Sequence, residues 1–144
     1  MGKRLVKAPK VYLRDSGIVH ALLNLTTLDD ILGHPIIGAS WEGFVMENLI
    51  SSLPDGVTPW FYRTAAGAEI DLVIEVNARK KIAIEIKRSL SPSTSKGFAI
   101  GSEDVGATDC FIVYPHRERF ALNKYTSAIP LLDMMKELRN IRSS

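Results

Sequence analysis

The stretch GAEIDLVIEVNARKKIAIEIKRSL, residues 67–90, contains two short segments in which apolar and polar side chains alternate, separated by a turn. Alternation with a period of two is typical of β-strands, so each segment should have one apolar face. The apolar residues are Ile70, Leu72, Ile74 and Val76 in the first segment and Ile82, Ile84 and Ile86 in the second. Both rows can cover one core only if an odd number of residues separates the strands. The simplest solution is a turn at residues 77–79, which sets Val76 opposite Lys80.

This register also sets charged residues against one another across the hairpin. Two favourable pairs are predicted, Glu75 with Lys81 and Glu69 with Lys87. The same register places Asp71 directly opposite Glu85, where like charges repel. Either water screens this pair on a solvated face, or a cation such as Mg²⁺ lies between the two carboxylates.

A third carboxylate lies in the helical segment that precedes the strands. Apolar residues within residues 38–53 recur at spacings of three and four, namely Trp41, Phe44, Val45, Leu49 and Leu53. At about 100° per residue, Glu42 falls between Leu49 and Leu53, inside the apolar stripe. A carboxylate that faces a core is costly unless it is paired or bound to a metal. Glu42 is therefore expected either to form a salt bridge, for example with Arg63, or to join the other two carboxylates.

The other segments predict an α/β protein. PWFYRT (residues 59–64) indicates a strand, CFIVYP (residues 110–115) indicates a strand covered on both faces, and a short helix is expected around residues 98–103. Pro130 should open an amphipathic helix with these inner residues: Leu131, Leu132, Met134, Met135, Leu138 and Ile141. Near the start, KVYLR (residues 10–14) predicts a strand, followed by helical pieces after Asp15 or Ser16 and from Thr26. The order predicts a mixed sheet, an antiparallel meander plus a crossover strand, flanked by helices.

Composition limits the classes of protein that fit. A chain of 144 residues with 46% hydrophobic and 24% charged residues is typical of one globular domain. One cysteine, Cys110, cannot form an internal disulfide, and no segment has the ~18 apolar residues needed to span a bilayer. A reducing cytoplasm and no membrane partner are therefore expected. Residues 1–33 begin with a basic run, which fits either a phosphate-binding arm or a domain junction.

The charged hairpin and the preceding helix resemble the PD-(D/E)xK nuclease superfamily, which has the restriction-endonuclease fold. The residues that carry the resemblance are Asp71 in one strand, Glu85-x-Lys87 in the next, and Glu42 on the helix. Ile70 stands where the superfamily motif has proline. The match implies a metal-dependent nuclease-like domain at residues 34–144.

A closer likeness covers nearly the whole chain. KAPKVYLRDSGIVHALLNL (residues 7–25), GASWEGFVMENLI (residues 38–50), FYRTAAGAEIDLVIE (residues 61–75) and IAIEIKRSLSPSTSKGF (residues 82–98) are similar to the C-terminal domain of a prokaryotic AAA+-type ATPase family. This likeness implies an ATPase module as partner and makes residues 1–33 the end of a winged-helix junction. No G-x-x-x-x-G-K-[ST] motif occurs, so this chain should have no P-loop ATP site. The family's helix motif has an acid where Asn48 stands, so no role is implied for Glu47.

The superfamily resemblance implies particular roles. Asp71 and Glu85 would hold Mg²⁺ or Mn²⁺ together with the Ile86 carbonyl, Lys87 would orient the attacking water, and Glu42 would assist it or bind a second ion. Candidate contacts to a nucleic acid, DNA in the first place, are Arg63, Arg88 and Lys96. The alternative is a non-catalytic interaction module that regulates the ATPase and keeps the nuclease fold as a scaffold.

Other residue types with possible chemistry are expected to be structural. The histidines, His20, His34 and His116, lack the spacing of metal ligands. Trp60 and Tyr62 could stack on bases, but packing on the sheet is the simpler expectation. Met134 and Met135 should fill the core, and Cys110 should be buried.

Overall fold

Residues 4–7, 41–89 and 91–141 are described by the computed structural model, and their strands form one mixed sheet. The strands are β1 (Arg4–Lys7), β2 (Pro59–Arg63), β3 (Glu69–Asn77), β4 (Lys80–Ile86), β5 (Asp109–Tyr114), β6 (Phe120–Ala121) and β7 (Thr126–Pro130). Their order across the sheet is β1-β2-β3-β4-β5-β7-β6. The first four strands are antiparallel neighbours, β4, β5 and β7 run parallel, and β6 is antiparallel to β7. The predicted meander and crossover strand are therefore confirmed, as β2-β3-β4 and β5.

Three helices flank this sheet in the described part of the chain. They are α1 (Trp41–Ser51), α2 (Lys96–Val105) and α3 (Leu131–Arg139). The larger apolar cluster contains residues of α1 and α3 together with Ile82, Ile84 and Ile86 of β4. The smaller cluster contains Phe98 of α2 together with Ala83 of β4. Because neighbouring strand residues point to opposite faces, α1 and α3 cover one face of the sheet and α2 covers the other.

The β3–β4 hairpin keeps the predicted register along its length but not at its turn. Glu75 lies opposite Lys81, as expected, and their side chains form an ion pair at 3.6 Å. The prediction that Val76 lies opposite Lys80 is wrong, because Asn77 takes that place. The ladder is irregular between Glu75 and Asn77, so a bulge supplies the extra residue that the longer turn was meant to supply.

A second irregularity lies where β3 begins. Trp60 of β2 pairs with Val73, but Tyr62 pairs with Ile70, so Asp71 and Leu72 together oppose the single residue Phe61. An extra residue of this kind bends a strand and redirects its side chains. Ile70 consequently packs in the α2 cluster and not with Leu72, which corrects the prediction that the two share a face.

The orientation of α1 also differs from the prediction. Its buried residues are Trp41, Phe44, Val45, Asn48 and Leu49. This stripe is centred near Trp41 and Asn48, roughly a quarter turn from Glu42 at 100° per residue. Leu53, which shifted the predicted stripe towards Glu42, lies beyond the end of the helix and is half-buried. Glu42 is therefore exposed, and its predicted position inside the core is wrong.

The C-terminal half follows the sequence closely. β5 is buried on both faces, and Met134, Met135 and Leu138 of α3 lie in the core as predicted. Leu132 is the exception, because it is 37% exposed. No pattern in the sequence indicated β6 or β7, and β7 contributes Ala128 and Ile129 to the buried residues.

The N-terminal predictions are largely outside the described residues. These include the strand at residues 10–14, the helical pieces after it, and the surroundings of His20 and His34. Residues 4–7, part of the basic run for which a phosphate-binding arm or a domain junction was expected, form β1, which pairs with β2. The division of the chain at residues 33 and 34 stays a prediction.

Candidate functional site

A cavity of about 460 Å³ lies at the end of the sheet where β3 begins and β4 ends. Carboxylates, basic side chains and the start of α2 surround it. The lining residues are Glu42, Gly67, Glu69, Asp71, Glu85, Ile86, Lys87, Arg88, Ser95 and Gly97. The structure thus brings all four predicted catalytic residues and the predicted ligand Ile86 to one cavity. Of the three predicted nucleic-acid contacts, only Arg88 lines it.

Glu85 is the most buried charged residue of the cavity, with 9% of its surface exposed. Its Oε1 accepts a hydrogen bond from the Ser95 hydroxyl at 2.8 Å and lies 3.3 Å from Lys87 Nζ. Its Oε2 is buried and has no hydrogen-bond partner in the part of the chain that the structure describes. A buried carboxylate oxygen without a partner is costly, so this atom is suited to a ligand.

Asp71 reaches the cavity from the bulged start of β3. Its Oδ2 accepts a hydrogen bond from the Ile86 amide at 2.8 Å, which lowers the pKa of the carboxyl group. Burial has the larger effect, and the charges of Glu85, Glu69 and Glu42 act in the same direction, so the pKa is raised to about 6. The carboxylates of the cavity therefore repel one another, and a bound cation would offset that repulsion.

Lys87 follows β4, and its backbone is held on both sides. Its amide donates to the Val113 carbonyl at 2.9 Å, and its carbonyl accepts from the Trp41 indole at 3.0 Å. The Trp41 contact ties the first turn of α1 to the cavity. The Lys87 ammonium lies against Glu85 and not against Glu69, so the predicted Glu69–Lys87 pair is wrong.

Glu69 pairs instead with Arg63 at 3.3 Å, across the β2–β3 ladder. Both side chains are more than half exposed, so this ion pair contributes little to stability. Arg63 therefore does not form the salt bridge with Glu42 that was predicted as an alternative. Glu42 lines the mouth of the cavity as an exposed carboxylate, and its predicted help to a catalytic water stays a prediction.

Other residues singled out in the sequence lie away from the cavity. Lys96 begins α2 and is exposed, although its neighbours Ser95 and Gly97 line the cavity. Tyr62 is a buried core residue whose hydroxyl donates to Asp104 at 2.8 Å, and Trp60 is half-buried against the same cluster. Cys110 is buried, as expected.

Sequence reasoning missed three features that shape the cavity. Ser95 is the N-cap of α2 as well as the donor to Glu85. Gly97 approaches the carbonyl of Gly67 so closely that a Cβ at residue 97 would lie 2.6 Å from that oxygen. The Asp71 bulge was the third. A serine just before an apolar helical run is a recognisable signal for a helix N-terminus, so the capping role of Ser95 could have been found.

The donor set fits a hard divalent cation. Among the described residues, no three His, Cys, Asp or Glu side chains form a ready-made metal cluster. Mg²⁺ usually binds through one or two carboxylates and fills its remaining positions with water and substrate phosphates. Asp71 and Glu85, with the unpartnered Oε2, supply this smaller set.

Comparison with known proteins places the chain in a family. The family model described as "Domain of unknown function (DUF4143)" matches residues 37–134. The chain belongs to the DUF4143 family. The matched part of this DUF4143 chain extends from just before α1 to the middle of α3 and therefore includes the whole cavity.

Two curated relatives of this DUF4143 chain have names that assign them no function. They are "Uncharacterized protein Rv2008c" of Mycobacterium tuberculosis and "Uncharacterized protein Mb2031c" of Mycobacterium bovis. Each is 38% identical over 130 residues, which is 90% of this chain but 29% of the relative. The DUF4143 chain thus spans less than a third of their length. No solved structure matches it. Within its described residues, no helix is long and apolar enough to cross a membrane.

Proposed function

We propose that this domain is a metal-dependent nuclease-like domain that binds nucleic acid, DNA in the first place, and cleaves its phosphodiester bonds. In the longer proteins that contain it, the partner would be an ATPase module, and the setting would be the cytoplasm. The observation that carries the proposal is the buried, unpartnered Oε2 of Glu85 beside Asp71. Two carboxylates that repel each other, with a lysine beside them, are the set that the resemblance to the PD-(D/E)xK superfamily implies for metal-assisted attack on a phosphodiester.

Mg²⁺ or Mn²⁺ would be held by Asp71, Glu85 and the Ile86 carbonyl, and when bound it would polarise the scissile phosphate and acidify a water. Asp71 must be ionised to bind the cation. Because its pKa is raised, the ionised form is disfavoured when no cation is bound. Glu85 keeps Oε1 occupied by Ser95 and Lys87 and leaves Oε2 for the ligand.

Lys87 is suited to two tasks at this site. Its ammonium, 3.3 Å from Glu85 Oε1, can hold the attacking water or offset the negative charge that develops on the phosphate. Hydrogen bonds with Val113 and Trp41 fix its backbone. The base of its side chain is therefore already ordered before substrate binds. Arg88, exposed at the same cavity, can contact an adjacent phosphate.

A second candidate is an interaction module that keeps this fold without catalysis. One observation favours it: the polar groups of the site bond largely to one another, as in a structural network. Asp71 accepts from the Ile86 amide, and Glu85 accepts from Ser95 and pairs with Lys87. In this case, divalent cations would neither bind nor stabilise the domain.

Thermal unfolding with and without Mn²⁺ separates the two candidates. A ligand that binds only the folded state raises its stability, so Mn²⁺ should raise the Tm of the wild type. The rise should disappear in Glu85→Gln and persist in Glu75→Gln, which changes an exposed carboxylate elsewhere on the same hairpin.

Cleavage of end-labelled single-stranded and double-stranded DNA then tests the chemistry. Cleavage by the wild type and its loss in Glu85→Gln and Lys87→Ala would support the nuclease. Absence of both a Mn²⁺-dependent Tm rise and cleavage would favour the interaction module.

A further inference from the structure

Ser95 joins the start of α2 to the buried carboxylate of the cavity. Its oxygen accepts a hydrogen bond from the Phe98 amide at 3.2 Å, which makes it the N-cap of the helix. The same hydroxyl donates to Glu85 Oε1 at 2.8 Å. The resemblance to the nuclease superfamily predicted neither contact and assigned no role to this serine.

The two bonds fix the direction of the hydroxyl proton. A serine hydroxyl has one proton and two lone pairs. Because its oxygen accepts from the helix amide, its proton is directed at Glu85. Oε1 of Glu85 therefore has one hydrogen-bond donor, Ser95, and an ion pair with Lys87, whereas Oε2 has no hydrogen-bond partner among the described residues. This asymmetry orients the carboxylate with its unpartnered oxygen available to a ligand.

The start of α2 is itself fixed in place. Gly67 has φ of +97°, which favours glycine, and its carbonyl lies against Gly97 where no side chain would fit. The Ser95 backbone is extended, with φ of −73° and ψ of 153°, as N-cap residues require. Ser95, the hydrogen-bond donor to Glu85, is thus held in place by backbone contacts at the start of α2.

We propose that Ser95 is a positioning residue that holds Glu85 Oε1 and thereby presents Oε2 to the cation of the site. This inference rests on the proposed function and gives Ser95 a role, the orientation of the Glu85 carboxylate, that the proposed function did not assign to it. Partners of this kind orient ligands in metal sites generally, and their loss typically weakens metal binding by about 10–100-fold.

The hold of Ser95 on Glu85 can be tested without metal by a double-mutant cycle. The Tm is measured for the wild type, Ser95→Ala, Glu85→Ala and the double variant. If Ser95 donates to Glu85, Ser95→Ala should lower the Tm less in the Glu85→Ala background than in the wild type. If Ser95 only caps the helix, the two shifts should add, and additive shifts would overturn the proposal.

Ser52→Ala is the matched control for this cycle. Ser52 is a buried serine whose hydroxyl donates to the Asn48 carbonyl, just beyond the end of α1. Its Tm shift should add to that of Glu85→Ala. A non-additive shift for Ser52 as well would mean that the cycle reports general destabilisation, and the proposal would fail.

The affinity for Mn²⁺ then tests whether the hydrogen bond from Ser95 to Glu85 strengthens cation binding. By calorimetric titration of the purified chain, Ser95→Ala should weaken Mn²⁺ binding by about tenfold or more. Ser95→Thr, which retains a hydroxyl and can cap the helix, should bind nearly as the wild type does, and so should Ser52→Ala. Equal affinities in Ser95→Ala and the wild type would refute the positioning role. If the wild type bound no Mn²⁺, the proposed function would fail first, whereas additive Tm shifts count against Ser95 alone.

Discussion

Asp71 shows how strongly the cavity changes a single residue. Burial and the neighbouring carboxylates raise its pKa from 3.8 to about 6, despite the Ile86 amide that favours the ionised form. Because the folded-state pKa is higher than that of the unfolded chain, the folded state holds the proton more tightly. Ionisation of Asp71 therefore costs stability as the pH rises from about 4 through 6, and the full cost is present above that range.

Asp71→Asn should consequently stabilise the metal-free protein at neutral pH. The pKa shift sets an upper limit of about 3 kcal/mol on the gain in unfolding free energy at pH 7. At pH 4 the gain should nearly vanish, since the folded wild type is then protonated at Asp71. Urea unfolding at both pH values measures the difference.

Asp55→Asn serves as the control, because Asp55 is exposed in the turn after α1. It should change the unfolding free energy little at either pH. A pH-independent effect of Asp71→Asn would show that Asp71 is not raised in pKa by its surroundings.

Trp41 is a second residue whose single hydrogen bond bears on the site. Trp41→Phe removes the indole donor to the Lys87 carbonyl and should cost about 1 kcal/mol for the lost bond. A larger total cost is expected because Trp41 is also buried in the core. The specific test is hydrogen exchange at the Lys87 amide, which should speed up more than exchange at the Val73 amide in the sheet interior. Equal effects at both amides would mean that Trp41 acts only through packing.

At the scale of elements, the cavity depends on how α2 and β3 meet. α2 packs on β2 and β3 through close contacts of its glycines, and Gly101 faces the Ile70 and Tyr62 side chains. The bulge at the start of β3 lets Ile70 face α2 while Leu72 faces α1. Asp71, between them, is redirected by the same bulge towards the β4 backbone.

Two glycine substitutions in helices should therefore have opposite effects. Gly97→Ala would place a Cβ 2.6 Å from the Gly67 carbonyl, so the start of α2 must shift and the domain should lose stability. Gly43→Ala in α1 meets nothing within 4 Å and should gain about 0.5–1 kcal/mol, the usual advantage of alanine in a helix. Thermal unfolding of both variants tests this, and a stabilising Gly97→Ala would show that α2 does not approach the Gly67 loop so closely.

At the scale of the whole molecule, the two ends of the β3–β4 hairpin differ in their surroundings. The end with the cavity has Lys87 and Arg88 beside the carboxylates, near the starts of α1 and α2. The other end has the turn with Arg79, which is exposed and lies away from the cavity. A nucleic acid whose scissile phosphate reaches Glu85 would contact the first end.

Arg88→Ala should weaken binding of a single-stranded oligonucleotide in the absence of divalent cations. It should also reduce the slope of log affinity against log salt by about 0.7, the value for one phosphate contact on a single strand. Fluorescence anisotropy over a range of KCl concentrations gives both quantities.

Arg79→Ala is the control for this experiment, since it removes the same charge from the far end of the hairpin. Its affinity should fall less, and its salt slope should not change. Equal effects of the two variants would mean that binding follows net charge and does not use the cavity.

Much of the site could be predicted because its residues belong to elements that short-range sequence patterns indicate. The alternation in residues 67–90 fixed the strands and placed Asp71, Glu85 and Lys87 at one end of the hairpin. Glu42 reached the cavity although the prediction of its burial was wrong. The predicted burial of Glu42 depended on where α1 ends, and periodicity alone determines the ends of a helix poorly.

The sequence by itself determined the elements of the hairpin, α1, α2, β5 and α3, because period-two and period-3.6 patterns are local properties of the chain. Only the tertiary structure decided which face Ile70 occupies, which partner Lys87 takes, and that Ser95 reaches Glu85. The physical reason is that a bulge, an ion pair and a helix cap each depend on where a second element lies. That position follows from packing the whole core, and no local pattern contains it.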